Sequence, residues 1–257
     1  MTRSIDLNSD LGEGFGPWQM GDDKALLAIV TSANIACGGH ASDPETMYQT
    51  LVAARERNVV AGAHPGYADR EGFGRRIIPM SAPEIERMVA AQIGALMGAA
   101  ALAGTTIAYV KPHGALANLA AQERSVADAI ARAIKAISRD LAVLAISGTQ
   151  LDPAARTLNL RVYSEIFADR GYLSSGLLVP RSHAQALIKD GGEAAARLVS
   201  FMETGLMPVI DGAAIALEAH SICVHGDSAG AVAMAGDIRT ALTRAGITLA
   251  PFLGHAA

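Results

Sequence analysis

Ionisable side chains recur at short intervals in this sequence, most of them beside glycine or proline. The first group is Asp6, Asn8, Asp10 and Glu13, four oxygen-bearing side chains within eight residues. The period-two spacing of Asp6, Asn8 and Asp10 puts all three on one face if a strand runs through them. Such a group can hold a metal ion, position water, or grip a substrate amine or hydroxyl. The plainer alternative is a polar turn with Asx caps that uses Gly12 and Gly14. Asp6 argues against that alternative, because it interrupts an apolar strand where no turn residue is needed.

Four of the seven histidines, His40, His64, His113 and His225, follow apolar runs and neighbour glycine or proline. Imidazole is the side chain suited to proton transfer near neutrality and to metal ligation. Asp10, His40 and His64 would make a carboxylate–imidazole set for a divalent metal, although neither HxH nor HExxH spacing is present. Lys111 stands between an apolar run and Pro112, where it could pair with a carboxylate or bind an anion. Arg75 and Arg76 follow Gly72-Phe73-Gly74, a loop able to bring a guanidinium to a carboxylate or phosphate. Cys37 reads as a small buried hydrophobe.

One match is a decoy. Gly226-Asp227-Ser228-Ala229-Gly230 fits the G-x-S-x-G nucleophile elbow. An α/β-hydrolase needs its acid, its histidine and more sheet after the serine, but only residues 231–257 follow, with His255 as their single histidine. No G-x-x-x-x-G-K-[ST] loop occurs, so any nucleotide site is expected on a partner.

These groups need elements to place them. Strand-like runs fall at Ser4–Leu7, Ala33–Ala36, Val59–Gly62, Ile107–Val110, Ala142–Ile146, Leu160–Tyr163 and Ser221–Val224. Helical patterns fall between them, at Asp22–Thr31, Pro44–Arg57, Ala82–Ala103, Gln122–Ser138, Gly192–Glu203 and Ala229–Ala245. Asp43-Pro44-Glu45 and Ser81-Ala82-Pro83-Glu84 look like helix starts, and Gly104 and Gly246 like helix stops. The alternation predicts a parallel sheet covered by helices. Because chemistry gathers at the C-terminal end of strand after strand, a closed barrel with one shared mouth is expected rather than an open sheet. The fold expected is a single-domain TIM-like (β/α) barrel over residues 1–257, slightly irregular, with seven strands and a stretch from Glu165 to Asp211 that fits no simple pattern.

Composition narrows the partners. Of the 257 residues, 51% are hydrophobic and 18% charged, which suits a large buried core and excludes a disordered chain. A net charge of −4 and 4% aromatics argue against nucleic-acid binding. Met88–Val110 is uncharged and contains Gly94-x-x-x-Gly98, but its alanine and glycine content and the break at Gly104-Thr105-Thr106 predict a packed helix and strand, not a membrane span. Two cysteines and no apparent signal peptide predict a reducing, cytoplasmic setting.

Taken together, DLNSDLGEGFG (Asp6–Gly16), SANIACGGHASDP (Ser32–Pro44), GAHPGYADREGFGRR (Gly62–Arg76), VKPHGALAN (Val110–Asn118), FADRGYLSSGLLVPR (Phe167–Arg181) and CVHGD (Cys223–Asp227) resemble the LamB/YcsF family. The resemblance implies a TIM-like barrel related to polysaccharide-deacetylase folds. It also implies ATP-dependent opening of 5-oxoproline to glutamate, carried out together with 5-oxoprolinase subunits B and C. Two departures stand out: Ala117 where a tyrosine is expected, and Ser174-Ser175-Gly176 in place of a more acidic turn. On this reading Asp10, Glu13, His64, Lys111 and His113 carry catalysis, and Asp6, Asn8, His40, Arg75, His225 and Asp227 bind substrate. Asp10 or Glu13 would be the base, His64 or His113 the acid, and Lys111 the stabiliser of negative charge. The competing expectations are a metal-dependent deacetylase or amidohydrolase that needs no ATP, and a non-catalytic substrate-binding subunit.

Overall fold

In the computed structural model, which describes residues 4–225 and 230–253, the apolar runs become parallel strands. The elements follow in the order β1 (Ser4–Leu11), α1 (Asp23–Leu26), β2 (Ser32–Ala36), α2 (Pro44–Glu56), β3 (Val60–His64), α3 (Ala82–Ala103), β4 (Tyr109–Val110), α4 (Gly114–Gln122) and α5 (Arg124–Ile137). The second half has β5 (Ala142–Ile146), α6 (Leu151–Thr157), β6 (Val162–Phe167), α7 (Gly191–Thr204), β7 (Leu206–Met207), β8 (Ile215–Ala216), β9 (Ser221–Cys223), α8 (Ala231–Arg244) and β10 (Thr248–Leu249). Strands β1 to β6 and then β9 pair side by side in parallel, and β9 pairs back onto β1. This is a closed seven-stranded barrel, as the strand-end chemistry predicts. The short β10 adds to the start of β1, and β7–β8 form a separate antiparallel pair.

Local sequence explains the helix starts. The Asp43 carboxylate accepts from the backbone N–H groups of Glu45 and Thr46 at 2.9 Å, and Ser81 with Glu84 forms a capping box. Gly104, at φ 66°, ends α3 in the left-handed conformation that favours glycine. That helix is long and apolar enough to cross a bilayer by composition, but it buries Ile85, Val89, Ile93, Leu96, Ala100 and Ala103 against the barrel and its neighbours.

Four expectations change. β1 runs on to Leu11 instead of stopping at Leu7, so Asn8 and Asp10 lie in the strand and inside the barrel. β6 starts and ends later than expected, at Val162–Phe167, which puts Glu165 within it. The expected helix at Gln122–Ser138 is α5, with α4 before it and Glu123 between them. Helices α4 and α6 and strands β7, β8 and β10 were not anticipated, because each is too short for periodicity to show. The stretch after β6 is a built loop: Gly171 N–H donates to Ala186 O (3.0 Å), Tyr172 pairs with Leu178, and Arg197 of α7 donates to the carbonyls of Phe167, Ala168 and Arg170 (2.6–2.8 Å).

Candidate active site

Polar groups fill the barrel interior in layers. At the bottom, Asp6 accepts hydrogen bonds from Thr31 Oγ1 and Ser32 Oγ, both 2.6 Å, and from Ser221 Oγ. Burial pushes its carboxyl up to about 6, against the pull of these hydroxyls. One layer up, the Asn8 amide donates to Glu165 Oε1 (2.9 Å) and Ser221 Oγ (2.6 Å), and Asn34 Nδ2 donates to Asn8 Oδ1 (2.6 Å). The Tyr109 hydroxyl donates to Asn34 Oδ1 (2.7 Å), and its ring lies where Gly62 has no side chain: a Cβ there would meet the ring at 2.3 Å.

The top layer is charged. Lys111 Nζ lies 3.0 Å from Asp10 Oδ1 and 2.9 Å from Glu165 Oε1, with Asn8 Oδ1 at 3.3 Å and Cys223 Sγ at 3.1 Å. Burial opposes its charge, but Asp10 and the groups around it hold the ammonium well above the usual lysine range. Burial likewise opposes ionised Asp10, yet the neighbouring His64 and Lys111 hold its carboxyl well below the usual range. Glu165 is different: burial lifts its carboxyl, and Oε2 has no hydrogen-bond partner among the described residues.

Three histidines pack beside Asp10. The rings of His40 and His113 stack at 3.6 Å with 1° between their planes, and His64 stands edge-on to both. Gly74, at φ +62°, lets the 72–76 loop lie across them, since a Cβ there would meet His40 Cβ at 2.7 Å and His113 Cδ2 at 2.8 Å. His64 Nδ1 lies 2.7 Å from the Lys111 carbonyl and His113 Nε2 lies 2.8 Å from the Phe73 carbonyl. A carbonyl only accepts, so both of these nitrogens carry hydrogen. The inner nitrogens, His64 Nε2 and His113 Nδ1, are 3.0 Å apart, and two bare lone pairs would repel there. Asp10 Oδ2 lies 3.4 Å from His64 Nε2, on the other side of that contact. Burial and the adjacent rings hold His113 and His40 neutral, well below the usual histidine range. His40 Nε2 donates to Glu13 Oε1 at 3.0 Å.

The ligand atoms of Glu13, His40, His64 and His113 lie within 4.8 Å of one another, whereas Asp10 groups with Cys223 and His225. The expected set of Asp10, His40 and His64 is thus not the one assembled. The four-residue group does not fit an ion as arranged, because stacked rings aim their in-plane lone pairs side by side instead of at one point.

Above the charged layer opens a cavity of about 460 Å³. Asp10, His64, Lys111, His113, Arg75, Glu165 and His225 all line it, and so does Ala117. Asp6 and Asn8 lie beneath it and hold the layer above, and His40 and Glu13 lie behind His113. His225 sits on another wall with Nδ1 2.9 Å from both Asp169 carboxylate oxygens. Burial opposes its charge, but Asp169 raises the imidazole above its ordinary value. Asp227 and the serine of the elbow decoy lie outside the described residues. Cys37 is buried, and burial pushes its thiol up to about 12, which suits packing rather than nucleophilic attack.

Glu165 and Arg170 line the cavity and Asp169 holds His225 from behind, and none of the three was a candidate site residue. Glu165 had a signal in its place at a strand end, and Asp169 and Arg170 lie within the family-like string Phe167–Arg181, where nothing in the spacing marks them individually.

The profile described as the LamB/YcsF family matches residues 5–257. The chain belongs to the LamB/YcsF family. A relative from Agrobacterium fabrum strain C58, named as an A subunit of 5-oxoprolinase, is 50% identical over 249 residues, covering 97% of this chain and 98% of the relative. The crystal structure of the lactam utilization protein from Thermus thermophilus superposes with a TM-score of 0.91 at 38% identity, covering 96% of this chain and 99% of that one. A structure of the T48 deacetylase with substrate has a TM-score of 0.50 at 16% identity, over 98% of this chain and 89% of that one, a likeness of fold alone. In this LamB/YcsF chain family-like strings meet at the barrel mouth: Asp6–Gly16 supplies Asp10 and Glu13, Val110–Asn118 supplies Lys111 and His113, and Phe167–Arg181 forms the wall opposite.

Proposed function

We propose that this LamB/YcsF chain is the subunit of an ATP-dependent 5-oxoprolinase that completes the opening of 5-oxo-L-proline to L-glutamate. The observation that carries this reading is the cavity floor, where ionised Asp10 and charged Lys111 share one hydrogen-bonded layer beside His64. The names of the two relatives, a 5-oxoprolinase A subunit and a lactam utilization protein, point the same way.

A lactam amide is resonance-stabilised and resists water, and phosphorylation of its oxygen makes the carbonyl carbon a better electrophile. A partner subunit, B or C, supplies the ATP site, since this chain has no phosphate loop. In this chain Asp10 Oδ2 accepts a proton from the water that adds to the phosphorylated carbonyl carbon, and Lys111 stabilises the negative charge on its oxygens. The ring C–N bond then breaks to leave an acyl phosphate, and a second water releases orthophosphate to give the γ-carboxylate. His225, held by Asp169, or His64, held by Asp10, donates a proton to the ring nitrogen as its bond to carbon breaks. His113, held by the Phe73 carbonyl, packs against His64 Nε2 and positions it. The stacked His40 and His113 rings do not favour a metal held by Glu13 and the three histidines.

The test is glutamate formed from 5-oxoproline by this chain alone and mixed with candidate subunits B and C, each with and without ATP. Glutamate is expected only in the ATP-containing mixture. Its absence with all partners folded would overturn the reading.

A further inference from the structure

Three guanidinium groups from two loops line the cavity. Arg170, on the loop after β6, is only 5% exposed. Its Nε donates to the Ala186 carbonyl (3.2 Å) and its Nη2 to the Val179 carbonyl (2.7 Å), which leaves Nη1 for a ligand. The group is buried charge with no carboxylate hydrogen-bonded to it among the described residues, and burial together with the charges of Arg181 and Arg75 presses its pKa down to about 10. Arg181, from the same loop, and Arg75, from the loop over the histidines, are exposed residues that line the same cavity. Arg170 carries its charge beside the Asp169 carboxylate and at the cavity edge, where an anion can approach Nη1. Its loop is held in place, because Arg197 of α7 anchors the carbonyls of Phe167, Ala168 and Arg170. A guanidinium fixed by its own backbone contacts is preorganised for an oxyanion.

We propose that Arg170, with Arg181 and Arg75, forms an oxyanion subsite that orients the substrate, with its acidic group at the arginines and its amide over Asp10 and Lys111. The inference rests on the lactam-opening reading above and names the part of the substrate that reading leaves unplaced. Two sources share the ligand chemistry: the carboxylate of 5-oxoproline, and the phosphoryl group that activation would add.

The experiment is isothermal titration of the whole chain with three probes: 5-oxo-L-proline, its carboxamide and inorganic phosphate. The protein is tested as wild type, as Arg170→Met and as Arg181→Met. Arg181→Met keeps the test usable if Arg170→Met fails to fold. For carboxylate occupancy, wild type should bind 5-oxoproline at least 10-fold more tightly than the carboxamide, and Arg181→Met should close most of that gap. For phosphoryl occupancy, phosphate should bind wild type and lose at least 10-fold in either folded variant, while the lactams do not change. Either result supports the subsite. In the ATP-driven mixture, Arg181→Met should raise KM for 5-oxoproline by about 10-fold or more with kcat within about twofold, a split that a purely structural arginine would not produce. Affinities for all three probes and a KM that are indifferent to Arg181 and Arg170 would overturn it. A mixture that forms glutamate with those indifferent affinities would sink the subsite alone. Arginine-dependent phosphate binding without glutamate formation under any condition would instead sink the lactam reading and leave the subsite standing.

Discussion

Asp10 is the residue on which the site turns. Its Oδ1 is engaged by Asn34 and Lys111, and its Oδ2, 3.4 Å from His64 Nε2, is the oxygen assigned to take the water proton. Asp10→Asn keeps the shape and removes the base, and should lower turnover of the complete ATP-driven system by about 100-fold or more. Turnover within a factor of a few of wild type would remove Asp10 from that role. His225 allows a pH test. As a proton donor it works only while protonated, so activity falls as pH rises through its raised pKa. The Asp169 carboxylate is what raises it, so Asp169→Asn should move the alkaline limb of the kcat profile to lower pH. An unmoved limb would assign the proton to His64. Among these residues, Asp10, Glu13, Lys111 and the histidines are legible in the sequence because strand ends flanked by glycine advertise themselves. Asp6 and Asn8 are legible as inward-facing polar residues, but their depth is not: only the β1 register with its neighbours puts them below the cavity floor.

At the scale of elements, loops after strands do the positioning. The loop through Gly72-Phe73-Gly74 supplies the carbonyl that holds His113, and the Phe73 ring meets His40 and His113 edge-on at 5.5 and 5.3 Å. Gly74→Ala would force a left-handed residue and drive a methyl into both imidazoles. It should cost about 1–2 kcal/mol for the backbone alone. Denaturant unfolding should show that loss, and turnover should fall with it because the His113–His64 contact is displaced. Unchanged stability and activity would mean the loop does not hold the histidines. The sequence marks this loop through its glycines. It does not mark the loop after β6, whose order comes from Arg197 and the Ala186 and Val179 carbonyls, partners 9 to 30 residues from the groups they bind.

The whole molecule adds closure. Strand β9 pairs with both β6 and β1, and at that seam Asp6 gathers hydroxyls from Thr31, Ser32 and Ser221. Burial raises the Asp6 carboxyl from 3.8 to about 6, so the folded state favours the protonated form. The stability this contributes is complete below pH 3.8 and is lost as pH rises through about 6, a change of about 3 kcal/mol at 1.36 kcal/mol per pH unit. Asp6→Asn cannot ionise. The unfolding free energy of the variant relative to wild type should therefore rise between pH 4 and pH 8, read from urea midpoints at both. A difference that stays flat with pH would show that Asp6 does not titrate in the folded barrel.

The sequence by itself determined the parallel α/β barrel, the strand-end location of the chemistry and membership of the LamB/YcsF family. Apolar period, helix caps and glycine-flanked ionisable residues are local patterns, and local patterns survive in one dimension. Only the tertiary structure decided which groups meet. The stacking of His40 on His113, the grouping of Glu13 rather than Asp10 with the three histidines, the capture of Lys111 between Asp10 and Glu165, and the three arginines that line one cavity all join residues far apart in the chain. Barrel closure and strand register set those meetings, and neither is written in the spacing of any single segment.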